Sequence, residues 1–197
     1  MASGFPDMAF RSLDSFSGEG DAFAEELRST VDGVLAILND PALKSGAAKV
    51  ERRSQLRRLI YPKFDFIEMA KQSLGIHWRR RTFDEQQQFV HVFTDFLERS
   101  YANKIESYNG EKIIYAQNIQ EQEYGEVDTK VLTATGDEIS VSYKLHLVDG
   151  AWKIYDLVIG TISLVNDYRC EFHRTIATAS YEELIRKMRK TPESMGS

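Results

Sequence analysis

The sequence predicts an α+β domain in which helices come first, a four-stranded antiparallel meander follows, and two helices close the chain. Three observations carry that reading. The spacing of apolar residues changes from a helical period to strict alternation after Gly110. Gly136-Asp137 and Asp149-Gly150 supply turn chemistry on either side of the most regular alternating run. Two capping boxes, Thr82-x-x-Glu85 and Ser180-x-x-Glu183, open helices before and after the strands. A helical block beside an antiparallel sheet is an α+β layer arrangement.

The elements follow in order. Residues 1–20 are rich in Gly, Ser and Asp and are expected to form a loose tail, as are residues 191–197. Met1-Ala2-Ser3-Gly4 and Met195-Gly196-Ser197 resemble cloning remnants. Between them, residues 21–190 read as one domain: a mainly helical part, 21–109, a sheet, 110–162, and C-terminal helices, 163–190. Phe23, Leu27, Val31, Val34, Leu35 and Leu38 step by three and four, until Asn39-Asp40-Pro41 stops the helix. A second helix, about 46–60, places Val50, Leu56, Leu59 and Ile60 on one side and Arg52, Arg53, Arg57 and Arg58 on the others. A third spans about 65–74 and ends at Gly75, a residue suited to a helix C-terminus. The longest, about 82–107, carries Phe89, Val92, Phe93, Phe96, Leu97, Tyr101 and Ile105 on its apolar face, and Asn109-Gly110 closes it.

Strands are expected in "KIIYAQNI" and "VDTKVLTAT", and most clearly in "EISVSYKLHLV", where Ile139, Val141, Tyr143, Leu145 and Leu147 alternate with polar residues. "WKIYDLVI" is apolar on both faces, so it reads as a strand covered on both sides. Helices over about 163–178 and 181–190 finish the chain. Such a meander can curl over its helices into a cone, as in nuclear-transport-factor-like or cystatin-like folds.

Composition narrows the function. The net charge of -5 lacks the basic footprint of a general nucleic-acid binder. One cysteine, Cys170, rules out an intrachain disulfide framework. No apolar run is long enough to span a bilayer. The N-terminus lacks a signal-peptide pattern, which fits either a cytoplasmic protein or a mature chain whose signal has been removed.

Catalytic and metal-binding patterns are sparse. His77, His91, His146 and His173 fall in no metal-ligand spacing, and the sequence contains no GxSxG, P-loop or GxGxxG. Cys170 follows Arg169, but helix neighbours point in different directions. Asp156 sits between apolar residues in a strand and therefore needs partners. It reads either as a general base in a cone-shaped pocket, helped by Tyr155, Tyr143 or His146, or as a structural hydrogen-bond node, with Arg169 as one partner. "HWRRRT" puts Trp78 beside Arg79, Arg80 and Arg81, a combination suited to a phosphate or lipid headgroup, or to an acidic partner surface.

The apolar residues exceed what a simple core requires. Phe64, Phe66, Met69, Leu74 and Trp78 add a cluster on short elements beyond the helix stripes and strand faces. A lipid pocket, a plain core and a protein interface all draw on such a surplus.

"FDFIEMAKQSLG", "HWRRRTFDEQQQFVHVFTDFLERSYANKIESYNG", "VSYKLHLVDGAWKIYDLVIGTISLVNDYRCEFHRTI" and "YEELIRKM" together resemble the MlaC family of periplasmic phospholipid-binding proteins, the toluene-tolerance auxiliary components of ABC transport. The resemblance implies a helical subdomain packed on a nuclear-transport-factor-like curved sheet, with acyl chains held between them. It implies a non-enzymatic carrier of phospholipid in the periplasm, with no cofactor and no metal. Its partners would be an inner-membrane ABC lipid transporter complex and an outer-membrane lipoprotein–porin complex. The residues expected to contact lipid are Phe64, Phe66, Met69, Leu74, Trp78, Phe93, Leu97, Tyr101, Tyr143, Tyr155, Val158, Ile162, Leu164, Val165, Tyr168 and Phe172. Arg79, Arg80 and Arg81 are expected at the headgroup or at a partner. The sequence departs from the usual Glu-Gly before "ISLV", having Gly160-Thr161, which moves any left-handed glycine one residue earlier.

Overall fold

The structure, a computed structural model, describes residues 22–190 apart from Asn109 and Ala134. The expected tails, 1–20 and 191–197, lie outside the described residues. Helix α1 is Ala22–Asn39, and the chain then passes through short 3-10 turns, Pro41–Leu43 and Gly46–Ala48, into α2, Lys49–Ile60. The part of the expected second helix before Lys49 is therefore 3-10. A further 3-10 turn, Tyr61–Lys63, leads to α3, Phe66–Leu74, whose N-cap Asp65 accepts the Glu68 N–H. After a 3-10 stretch, Gly75–Arg80, the Thr82/Glu85 capping box starts α4, Phe83–Glu106, with both of its reciprocal bonds formed.

The sheet has five strands in sequential order: β1 Lys112–Glu121, β2 Tyr124–Leu132, β3 Glu138–Val148, β4 Ala151–Ile159 and β5 Ile162–Ser163. All neighbours are antiparallel. The short β5 was not expected. It forms because Gly160, at φ +63°, turns the chain back so that Ile162 and Ser163 pair with Ile159 and Val158. Helices α5, Leu164–Thr178, and α6, Tyr181–Lys190, complete the chain.

The inner face of the sheet carries Val127, Thr129, Val141, Tyr143 and Leu145, and α1 covers part of it. Phe23, Ala24 and Leu27 form one core there with Val127, Leu145 and Ile154. Phe23 lies so close to Gly125 that a Cβ on that glycine would come within 2.9 Å of the ring. The second core belongs to the helices: α3, α4, α5 and α6 pack Met69, Leu74, Phe89, Phe93, Phe96, Phe172 and Leu184 together. Phe64 packs against both cores. It also bridges to Ile154, and the Asp65 N–H donates to the Ile154 carbonyl at 2.8 Å.

A bulge in β4 decides what faces the seam between the cores. Leu145 pairs with Ile154 and Lys144 with Asp156, so Tyr155 has no partner across the ladder. One extra residue shifts the alternation. Leu157 and Ile159 thus stand opposite Tyr143 and Val141, while Asp156 faces away. Trp152 to Val158 are buried or partly buried, as expected for a strand covered on both sides, whereas Ile159, the last residue of the expected strand, is 41% exposed.

Candidate functional site

The seam holds an apolar cavity of about 220 Å³ that is open to solvent on one side. Leu56 and Ile60 of α2 form one wall, and Leu97, Tyr101, Ala102 and Ile105 of α4 form the facing one. Phe64, with Phe66 and Met69 of α3, Leu157 and Ile159 of β4, and Leu164 of α5 complete the lining. The four charged residues among the lining, Arg53, Arg57, Glu98 and Glu106, come only from α2 and α4. Long arginine stems can cover apolar surface while their charged heads stay at the water boundary.

These charges tie α2 to α4. Arg53 grips Glu106 with two nitrogens, Nε at 2.8 Å and Nη2 at 3.1 Å, and reaches Asn103 Oδ1 at 2.9 Å. Arg52 approaches the same carboxylate at 3.5 Å. Glu106 is only 8% exposed, and a buried carboxylate requires such partners. The Arg53 hydrogen bond holds its carboxyl below the usual range and raises the guanidinium in return. Arg57 lies 3.4 Å from Glu98 and stacks over the Tyr61 ring at 4.5 Å. Tyr61 donates its hydroxyl to Glu98, and burial together with that carboxylate pushes the phenol well above its ordinary range. Beneath, Tyr101 and Tyr168 share a hydroxyl contact at 3.3 Å.

A second cleft, about 320 Å³, adjoins the cavity and shares Arg53, Glu98 and Ala102 with it. Its other lining residues are Asp95, Arg99 and Asn103, all polar.

Of the residues expected to contact lipid, Phe64, Phe66, Met69, Leu97, Tyr101 and Leu164 line the cavity. Leu74, Phe93, Val165, Tyr168 and Phe172 are buried in the helical core instead, with Trp78 packed against it. Tyr143 belongs to the core under α1, and Tyr155 meets Tyr124 and His146 edge to face. Val158 does not line the cavity, nor does Ile162, which is 61% exposed on β5. Arg79 and Arg80 are exposed in the 3-10 stretch, while Arg81 contacts Glu85 and the Tyr181 ring. This loop adjoins the start of α4 at Phe83, fourteen residues before Leu97, or about 21 Å along the helix. Leu56, Ile60, Ala102, Ile105, Leu157 and Ile159, and the four charges, were not among the expected site residues. Leu56 and Ile60 do share one helix face, four residues apart, but in a helix otherwise rich in arginine.

Asp156 takes the structural role. Its carboxylate accepts from Ser163 Oγ at 2.6 Å and from the Val165 N–H at 3.1 Å, fixing the first turn of α5. Arg169, the partner expected from sequence, bonds Asn166 instead. Among the described residues, no group of three or more His, Cys, Asp or Glu side chains is placed to hold a metal ion, and no helix is long and apolar enough to cross a membrane.

The sequence profile of the family described as MlaC protein matches residues 28–190, and the chain belongs to that family. It is 22% identical over 147 residues to the intermembrane phospholipid transport system binding protein MlaC of Haemophilus influenzae, covering 71% of this chain and 67% of that one. It is 25% identical over 119 residues to the toluene tolerance protein ttg2D of Pseudomonas putida, covering 59% of this chain and 55% of the relative. Its fold is similar to that of the phospholipid-binding protein from Ralstonia solanacearum, solved in complex with a phospholipid. The TM-score is 0.76 at 23% identity, over 89% of this chain and 99% of the other.

Proposed function

We propose that this MlaC-family chain is a phospholipid carrier that shields acyl chains in the cavity between its sheet and its helical lobe. The observation that carries the reading is the cavity itself: apolar walls from four helices and a bulged strand, with charge confined to α2 and α4. The names of the Haemophilus and Ralstonia relatives support phospholipid as the cargo. The physical advantage is large. A two-chain lipid crossing water exposes on the order of thirty methylenes at roughly 0.8 kcal/mol each. A protein that covers them lowers that barrier without covalent chemistry. The lining offers the tails few polar contacts, which favours release as well as capture.

Carriage of this kind belongs in the periplasm, between an inner-membrane ABC lipid transporter complex and an outer-membrane lipoprotein–porin complex. The expected contacts are Phe64, Phe66, Met69, Leu97, Tyr101 and Leu164, joined by Leu56, Ile60, Ile105 and Leu157. Native mass spectrometry of the protein purified from a bacterial host, followed by lipid extraction, tests the reading. Adducts that resolve into phospholipid masses are expected. A protein that stays lipid-free after incubation with phospholipid vesicles would refute it.

A further inference from the structure

We infer that β1 is a self-pairing edge, to which a second copy of this chain adds its own β1, antiparallel, about a two-fold axis perpendicular to the sheet. The inference does not depend on the cargo.

The strand order runs from β1 to β5, so β1, Lys112–Glu121, is one edge of the sheet. An edge strand presents unpaired N–H and C=O groups, which chains commonly protect by shortness, proline or charge. The opposite edge, β5, is only two residues long. β1 has ten residues, and from Ile113 to Gln120 it carries no charge, proline or glycine. Its outward-facing Ile114 and Ile119 are 37% and 48% exposed.

This edge is complementary to itself. With the axis between Ala116 and Gln117, Lys112 meets Glu121 of the second copy and Ile114 meets Ile119 of the second copy, each pair occurring twice. Sliding the second copy by two residues sets Ile114 against Glu121, or Lys112 against Ile119, and loses both matches.

The bulge in β1 makes the pairing possible. Residues directly opposite in an antiparallel pair must share a face, and a regular strand would put Ile114 and Ile119 on opposite faces. Ala116 has no partner on β2, between Tyr115 opposite Thr129 and Gln117 opposite Asp128, and the alternation shifts there. Ile114 thus stands opposite Lys130, and Ile119 opposite Glu126. β2 pairs with β3 without irregularity, so Lys130 and Glu126 share a face, and the two isoleucines share it with them. Lys112 and Glu121 lie on the same face, opposite Leu132 and Tyr124.

Pairing leaves the cavity free. Leu157 and Ile159 line it from β4, three strands away from β1, or roughly 14 Å across the sheet. Each copy keeps its own compartment, and the dimer is bivalent. One pair of strands is a small interface of the transient class, so the expected dissociation constant is about 10–100 µM.

Sedimentation velocity of the full chain from about 1 to 500 µM tests the inference, under reducing conditions because Cys170 is exposed. Wild type should pass from monomer to dimer across that range. Lys112→Glu and Glu121→Lys each place like charges opposite one another twice per dimer and should raise the dissociation constant at least about tenfold. The double variant Lys112→Glu/Glu121→Lys restores opposite charges and should return to within about threefold of wild type. All three substitutions fall on exposed positions at the strand ends, so the fold tolerates them. A wild type that stays monomeric overturns the inference and leaves the edge to a strand of another protein. A dimer unaffected by the single changes, or not restored by the double one, overturns it as well, since the contact then lies on another surface.

Discussion

Enlarging Ala102 distinguishes a functional cavity from an imperfect core. Ala102 lies within α4 and lines the apolar cavity. Leucine there keeps a strong helix former in place and adds three carbon atoms beyond Cβ. Directed into the void, those atoms gain roughly 0.8 kcal/mol each when buried, about 2 kcal/mol together. For a chain of this size that raises the melting temperature of lipid-free protein by about 4–8 °C. The same atoms displace acyl methylenes, so phospholipid affinity should fall about thirtyfold. Differential scanning calorimetry of delipidated protein and equilibrium uptake of a fluorescent phospholipid measure the two effects. Val165→Leu is the contrast, because Val165 is 4% exposed in the helical core and does not line the cavity. Overpacking there should cost about 1–3 kcal/mol and leave uptake unchanged. A destabilised Ala102→Leu that binds lipid normally would refute the argument, since it would show tight packing where we place open space.

Three further outcomes follow from the ionic and capping contacts. Glu106→Gln should lower stability by roughly 1.5–3 kcal/mol, seen as a lower urea midpoint with an unchanged slope. Glu106 is held low in the folded state, so its contribution is present above the ordinary carboxylate range and lost as pH falls through the depressed value. Wild type and variant should therefore converge only below about pH 4, and a gap that persists in stronger acid would contradict this. His77 is pushed below its ordinary value by burial, by His173 at 3.1 Å, and by Arg80 and Arg81. The unfolded chain then binds more protons, so stability should climb with pH from the lowered value up to about 6.5, and His77→Gln should flatten that climb. Asp156→Ala should cost about 2–4 kcal/mol through the lost bonds to Ser163 and Val165, with phospholipid uptake preserved in the folded fraction. Loss of uptake from fully folded protein would return Asp156 to a functional role.

Periodicity and caps made most of the architecture legible in the sequence. The Thr82/Glu85 box fixes where α4 begins, and the alternation of Ile139 to Leu147 marks β3. β5 was hidden because two residues have no period. The cavity lining was legible only in its smaller part, and the reason lies in what periodicity measures. It reports that a residue is turned away from water, and Phe93 and Phe172 are turned away as fully as Met69. Whether a buried side chain meets another side chain or a void depends on how elements far apart in sequence meet. Nothing local to Val165 or Tyr168 records that α4 and α6 pack against their helix.

The cavity exists because two cores meet along a line that neither can fill. α1 covers the sheet where Trp152 and Ile154 face inward, and its contacts end near Leu157. The helical core turns its large aromatics towards α5 and α6. Between them, the bulge at Tyr155 turns Leu157, at the edge of the α1 core, and Ile159, at the open end of the strand, towards the cavity. With the normal alternation, Asp156 would face the seam and its carboxylate would require water or a counter-ion there. The bulge thus makes the seam apolar and directs Asp156 to the start of α5. The remaining cover comes from α2, where only Leu56 is fully buried and the arginines hold on to α4. On its α1 side this cover is close-packed, with Leu59 against Gly33, and on its α4 side it is held by ion pairs, which separate at lower cost than apolar packing. The least apolar helix of the lobe thus stands over the most apolar space, and its α4 side is the one that can part without breaking a close-packed core.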